Sequence, residues 1–516
     1  MKRKVVSLIL AAGMVSALLA GCGNTEESSG TEAESSSASA ESDSVDLDAE
    51  ILIKMCNSGG VVDDADRIET LINEITEEAI GVTVDIEWIE IGSYAEQINL
   101  LFSSQEACDL IMLTPMNSYS SAVSQDELMD ISTYLDTYGQ DIIELSGQYL
   151  EAYTSGDAIY GIPVTREKGG YAWVNMREDI LEELDLVEDA ESMDSWDDYY
   201  AILEQVQEAY PDMTACYVSS SNNIGTFLDG TYYTAEDDWA DSVALDNLGD
   251  SNNLVYVDDD GNVQSYYTSD YFYNSISRSR ELYETGYVNS DATTVTDDGV
   301  VQCKNGQVFS WISGGESDNE STTTLNAGYD ILSVPICHYI ATTYTSTLWG
   351  FAVPYSSENP EAAVAFMNLL YTDSDLANLF VWGEEGVDWE VNDEGYAQYV
   401  DGADSSSYHS VTWATGYYPA LTPWEGSLST EEYDEVLAEE EFSDYLGFVA
   451  DTNDIEQTIT TCVNVVNEYR DALYAGVNGD DMDTMYEEMA EKLEAAGIDE
   501  IVEAYQTQLD AWLAEQ

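Results

Sequence analysis

The sequence predicts an α/β protein of two doubly wound lobes, joined by crossing strands, with a ligand cleft between them. Two observations carry this. From Glu50 onward, short apolar strand-like runs alternate with runs of helical period. Strand–helix–strand order implies a parallel sheet with helices on its faces. The stretch Ile159 to Asp179 breaks that alternation with two half-strands around a charged, Gly-rich loop. Pro163 cannot donate to a sheet ladder, which excludes a central strand there. Such a segment suits a chain leaving one lobe and entering another.

In the first lobe, Glu50 to Cys56 is a predicted strand. A helix follows over about Asp63 to Glu78, with Ile68, Leu71, Ile72 and Ile75 on one face. Val82 to Ile89 is a second strand, Tyr94 to Phe102 a helix, and Asp109 to Leu113 a third strand. Ligands of doubly wound sheets bind outside the carboxyl ends of the strands. That makes Asn57, Ser58, Thr114 and Asn117 candidate ligand contacts. Asn57 and Ser58 suit a turn and helix cap equally well.

In the second lobe, helices are expected at Arg177 to Leu184 and from Ser195, a candidate N-cap, to Ala209. Val255 to Asp258 and Val263 to Tyr267 flank a hairpin turn. Asp258, Asp260 and Asn262 mimic the start of a calcium loop, but Ser269 stands where its last acidic ligand belongs, so no metal is expected. A helix spans Ser269 to Tyr287, and a strand spans Gly306 to Ser313. Asp330 to Ile336 reads as the second crossing, and Leu348 to Pro354 as the strand returning to the first lobe. Pro360 opens a helix at its first turn, where a missing N–H costs nothing.

With 103 Asp and Glu against 13 Lys and Arg, the 516-residue chain carries a formal charge of −90. This argues against nucleic acid and anionic membrane surfaces as partners, since both demand a basic face. The acidity suits a solvated surface or a cationic ligand. Lys2 to Lys4, the apolar run Val5 to Leu18 and then Leu19-Ala20-Gly21-Cys22 form a secretory signal resembling a bacterial lipobox. Cleavage before Cys22 and lipidation of its sulfur are expected. Two acyl chains, at ~0.8 kcal/mol per buried CH₂, would anchor the protein stably. The Ser-rich segment 22–49 reads as a flexible acidic stalk. The six remaining cysteines are scattered and permit no assignment of bridges. No hydrolase, P-loop or dinucleotide motif is present, and His338 and His409 cannot build a histidine metal cage. No cofactor is expected.

Several stretches resemble the family 1 extracellular solute-binding proteins. Tyr-Gly-Ile-Pro-Val (160–164) and Val-Asn-Met-Arg-Glu-Asp-Ile-Leu (174–181) look like that family's first inter-lobe crossing. Asp109-Leu110-Ile111, the Asn359 to Leu379 region, Trp382-Gly383-Glu384-Glu385-Gly386 and the tail from Lys492 also match its pattern, whereas Tyr408 to Trp424 departs from it. The resemblance implies a type 2 periplasmic-binding-protein fold. It divides the chain into signal peptide 1–21, stalk 22–49, first lobe 50–162 and 335–385, and second lobe 163–334 and 386–516. It implies capture of a small-molecule solute, an oligosaccharide, for an ABC transporter permease. The protein would be a monomer, exported and held at the outer face of the membrane by its lipid, and not an enzyme. A cationic solute or peptide, or glycosidase action, is the alternative. Position in the family pattern makes Arg166, Glu167, Trp311, Ser313 and Glu316 candidate contacts. Trp173, Trp349, Trp382, Trp413 and Tyr417 are candidate platforms for sugar rings, which need flat apolar faces beside fixed donors and acceptors. Loss of Arg166 or Glu167 is expected to weaken the ligand by ~1–3 kcal/mol and to leave the melting temperature nearly unchanged.

Overall fold

The computed structural model describes residues 47–220, 222–223, 231–232, 239, 243–258, 260–476 and 482–516. Cys22 and most of the stalk lie outside the described residues. The first sheet has four strands, in the order Phe351–Ala352, Leu110–Met112, Ala49–Asn57, Val82–Glu90. The last three run parallel, and Phe351–Ala352 returns antiparallel at the edge. Helix Ala65–Ile80 buries Ile68 and Ile72 and ends at Gly81, whose φ of 68° is the left-handed cap that glycine adopts without strain. Helix Ile91–Ser104 buries Tyr94, whose hydroxyl lies 2.9 Å from the Lys54 carbonyl and accepts from the Met112 amide at 3.0 Å. Helices Pro360–Thr372 and Ser374–Trp382 complete this core with Ala363, Phe366, Met367 and Leu370.

The second sheet has six strands, in the order Thr214–Tyr217, Val308–Gly315, Tyr171–Arg177, Ile331–His338, Val243–Ala244, Thr231–Tyr232. Tyr171–Arg177 lies antiparallel to both of its neighbours. Its Ala172, Val174 and Met176 share a core with Trp196, Tyr199 and Leu203 of helix Trp196–Ala209. Ser195 caps that helix by accepting from the Asp198 amide, as expected. The hairpin Val255–Val257 and Val263–Ser265 forms, and so does helix Asp270–Glu284, capped by Ser269. The six described cysteines are buried, and no disulfide joins any two of them.

Two expectations need correction. Asp330 to Ile336 is not a crossing. It belongs to a strand inside the second sheet, where Pro335 is tolerated because the register shifts between Pro335 and Cys337. The return to the first sheet falls between His338 and Phe351. There the two crossing segments meet: the Ile162 amide donates to the Phe351 carbonyl at 2.7 Å, and the Phe351 amide to Ile162 at 2.9 Å. Residues 386–516 also do not stay with one lobe. Tyr408, Val411, Ala414 and Leu421 join the first sheet's core. Helices Glu456–Tyr474, Met482–Ala496 and Ile498–Leu513 instead build a third core with the hairpin and helix Asp270–Glu284.

Candidate functional site

A cleft of about 430 Å³ lies between the end of strand Val308–Gly315 and the segment packed on the first sheet's core. Its lining has a polar part, Arg166, Glu316 and Asp318, with the Tyr418 ring against Arg166, and an aromatic part, Trp382, Tyr399 and Trp424. The aromatic side is a connected wall. The ring centroids of Trp382 and Trp424 are 4.8 Å apart, as are those of Tyr399 and Trp424. The Trp382 indole N–H donates to the Thr422 carbonyl at 3.1 Å, which fixes its ring. Faces of this kind accept the C–H side of a sugar ring or a cation.

The polar side is built from the first crossing. Arg166 pairs with Glu316 and donates to the Thr412 hydroxyl at 3.2 Å. Its guanidinium lies 5.6 Å from the Trp413 ring centroid and 5.4 Å from that of Tyr418. The Tyr433 hydroxyl is 3.2 Å from the second Glu316 oxygen and accepts from the Glu167 amide at 3.0 Å. Glu167 turns away from the cleft, and its carboxylate accepts from the Ser317 amide at 2.8 Å and the Ser317 hydroxyl at 2.7 Å. Burial pushes its carboxyl up to about 7 against those two bonds. Glu440 accepts from the Gly169 amide at 2.6 Å and the Tyr149 hydroxyl at 2.9 Å. The Lys168 ammonium reaches the Leu348 carbonyl at 2.9 Å, and burial, with Arg166 nearby, pulls its pKa down to about 7. The glycines of the loops are obligatory. A Cβ on Gly315 would meet the Asn319 side chain at 2.4 Å, and one on Gly170 would meet the Gly315 carbonyl at 2.6 Å.

Of the candidates, Arg166, Glu316 and Trp382 line the cleft together. Trp413 stands behind Arg166 and against Trp349, whose ring centroid is 5.5 Å away. Trp349 holds a φ of 63°, which a bulky residue adopts only where its surroundings impose it. Tyr417 stacks on Tyr371 at 6.0 Å. Trp173 donates to the Gly315 carbonyl at 3.0 Å, and Ser313 accepts from the Asn175 amide group at 2.8 Å. Both therefore brace the loop. Trp311 is core, only 1 % exposed, because strand Val308–Gly315 is covered on both faces over its first half; the expectation of ligand contact is wrong there. Asn57 is a turn residue. It accepts from the amides of Gly59 and Gly60 at 3.3 and 2.9 Å and donates to Glu90 at 3.0 Å. Ser58 beside it is half-buried, and among the described residues its enclosed hydroxyl has no hydrogen-bond partner. Thr114 and Asn117 bond each other, and Asn117 faces a different cavity.

Sequence reasoning passed over Asp318, Tyr399, His409, Thr412, Tyr418 and Trp424, which also line the cleft. The signal was available: the segment from Tyr396 to Trp424 is dense in aromatics yet matches no helical or strand period.

Comparison with known proteins agrees with this architecture. The model of the family "Bacterial extracellular solute-binding protein" matches residues 63–376, and a domain of unknown function matches 444–514. A carbohydrate ABC transporter substrate-binding protein of Streptococcus pneumoniae serotype 4 (strain ATCC BAA-334 / TIGR4) is 25 % identical over 511 residues, covering 97 % of this chain and 96 % of the relative. Among solved structures, the N-glycan transport solute binding protein of Streptococcus pneumoniae aligns with a TM-score of 0.77 at 22 % identity, over 90 % of this chain and 99 % of that one. The same protein in complex with Man5GlcNAc aligns at 0.70 and 22 % identity, over 91 % and 99 %. With a type 2 periplasmic-binding-protein fold and a family match over most of its length, this chain belongs to the bacterial extracellular solute-binding proteins.

Proposed function

We propose that the protein captures an oligosaccharide in the inter-lobe cleft and delivers it to the permease of an ABC importer. The arrangement of the cleft supports this most directly. An aromatic cluster of Trp382, Tyr399 and Trp424 lines the same cleft as the fixed polar groups of Arg166 and Glu316. The Streptococcus relatives, one named for carbohydrate and one crystallised with a glycan, support the same reading. The protein acts as a monomer, binds without turning its ligand over, and is held at the outer face of the membrane through lipid on Cys22. The lobes are 50–162 with the return from 351, and the second sheet with its loops.

Calorimetry of the mature chain against a broad panel of neutral oligosaccharides tests this reading. Saturable binding with no new product is expected, and Trp424→Ala should weaken it by ~2 kcal/mol, as for a buried aromatic anchor. A second reading is a cationic peptide or polyamine, favoured by Glu316 and Asp318 in the cleft. Polyamine binding that collapses at high salt, with no oligosaccharide binding, would replace the first reading by the second.

A further inference from the structure

This inference rests on the oligosaccharide reading and narrows it by ligand charge. Among the described residues that line the cleft, Arg166 is the only Lys or Arg. Its charge is already neutralised by Glu316, and two aromatic rings cover it. Asp318 lines the same cleft at the N-cap position of helix Asn319–Ala327, yet its side chain makes no capping bond. The Thr322 hydroxyl bonds the backbone carbonyl of Asp318, not its carboxylate. Among the described residues, that carboxylate takes only its own backbone N–H. Burial first, then Glu316, push it up to about 6, with Arg166 opposing. One cation and two carboxylates leave the cleft with a net negative charge, and among the described residues no other residue donates a hydrogen bond to the half-buried Asp318 carboxylate. A ligand carboxylate or sulfate placed there adds a like charge in a site of low dielectric. An ammonium, or a hydroxyl donor, supplies what Asp318 lacks.

We propose that Asp318 sets the charge class of the ligand: the cleft takes oligosaccharides that are neutral or carry a free amino group, and it rejects acidic ones.

The test is calorimetry of the mature chain with three ladders of two to six units: glucosamine, N-acetylglucosamine and galacturonate oligomers. Glucosamine oligomers are expected to bind tightest and galacturonate oligomers weakest, with about tenfold or more between the extremes. Asp318→Asn keeps the shape and removes the charge, so it should erase that order. Asp318→Ser should do the same, and melting curves confirm that both variants fold. Galacturonate binding as tight as glucosamine binding would overturn the proposal, as would an order unchanged in both variants. If none of the ladders binds, the proposal falls. The oligosaccharide reading survives that result when the broader neutral panel still binds, and falls with it when the panel fails too.

Discussion

Arg166 is held by Glu316, Thr412 and the rings of Trp413 and Tyr418, with its side chain 12 % exposed. Removing one partner of a largely buried ion pair leaves the other charge uncompensated. Arg166→Ala is therefore expected to destabilise the empty protein by ~3 kcal/mol, read from urea unfolding. That revises the expectation from sequence of a nearly unchanged melting temperature. Unfolding at the wild-type midpoint would mean that the pair contributes no net stability. Glu167 supports a second prediction. Its carboxyl is raised from 4.5 to about 7, so between these values the folded state holds more protons than the unfolded one. Stability from this group is thus fully present below pH 4.5 and is lost as pH rises toward 7. Glu167→Gln removes that loss while keeping an acceptor for Ser317. The difference in melting temperature, variant minus wild type, should grow more positive from pH 5 to pH 8. A flat difference would mean that Glu167 titrates normally, despite Ser317, Glu316, Lys168 and Glu440 around it.

At the scale of elements, helix Thr430–Glu439 carries much of the polar side. Ser429 and Glu432 form a full capping box at its start. Tyr433 reaches Glu316 from its first turns, and Glu440 at its end holds the loop at Gly169. Ser429→Ala should cost ~1 kcal/mol, the usual value of a lost N-cap, as a lower melting temperature. No change would mean that Glu432 alone secures the helix start. Elements of this kind were legible in the sequence. Ser195, Ser269 and Pro360 mark helix starts by local chemistry, and the first sheet's strands stand out as apolar runs between helices. Pro335 misled because a bulge, which has no signature in a single sequence, lets proline sit inside a sheet. Trp311 misled because a strand covered on both faces does not reveal which side a tryptophan takes. The aromatic wall was hidden for a third reason. Tyr399 ends a three-residue strand, Tyr418 opens a single helical turn and Trp424 sits in a loop, pieces too short to show a period, and only the fold brings them to Arg166.

At the scale of the molecule, the two lobes are joined by adjacent crossing segments, paired at Ile162 and Phe351. Such a joint permits rotation about its axis while resisting separation, the usual geometry of hinge closure. Its packing is tight: a Cβ on Gly350 would come 1.8 Å from the Tyr153 hydroxyl, itself buried and bonded to the Ser346 carbonyl at 3.0 Å. Beyond the joint, Arg166 ties the loops together. It touches Thr412 on the first sheet's side and Glu316 on the second's, so opening the cleft must break one of these contacts. The empty protein should therefore favour a partly closed form, and weakening the tie should open it. Glu316→Gln keeps the side-chain shape and removes the charge that holds Arg166. X-ray scattering should give this variant a larger radius of gyration than the empty wild type, and saturating ligand should bring both to the same smaller value. Identical curves for variant and wild type, with and without ligand, would mean that the crossings do not act as a hinge and that the cleft admits its solute without rotation of the lobes.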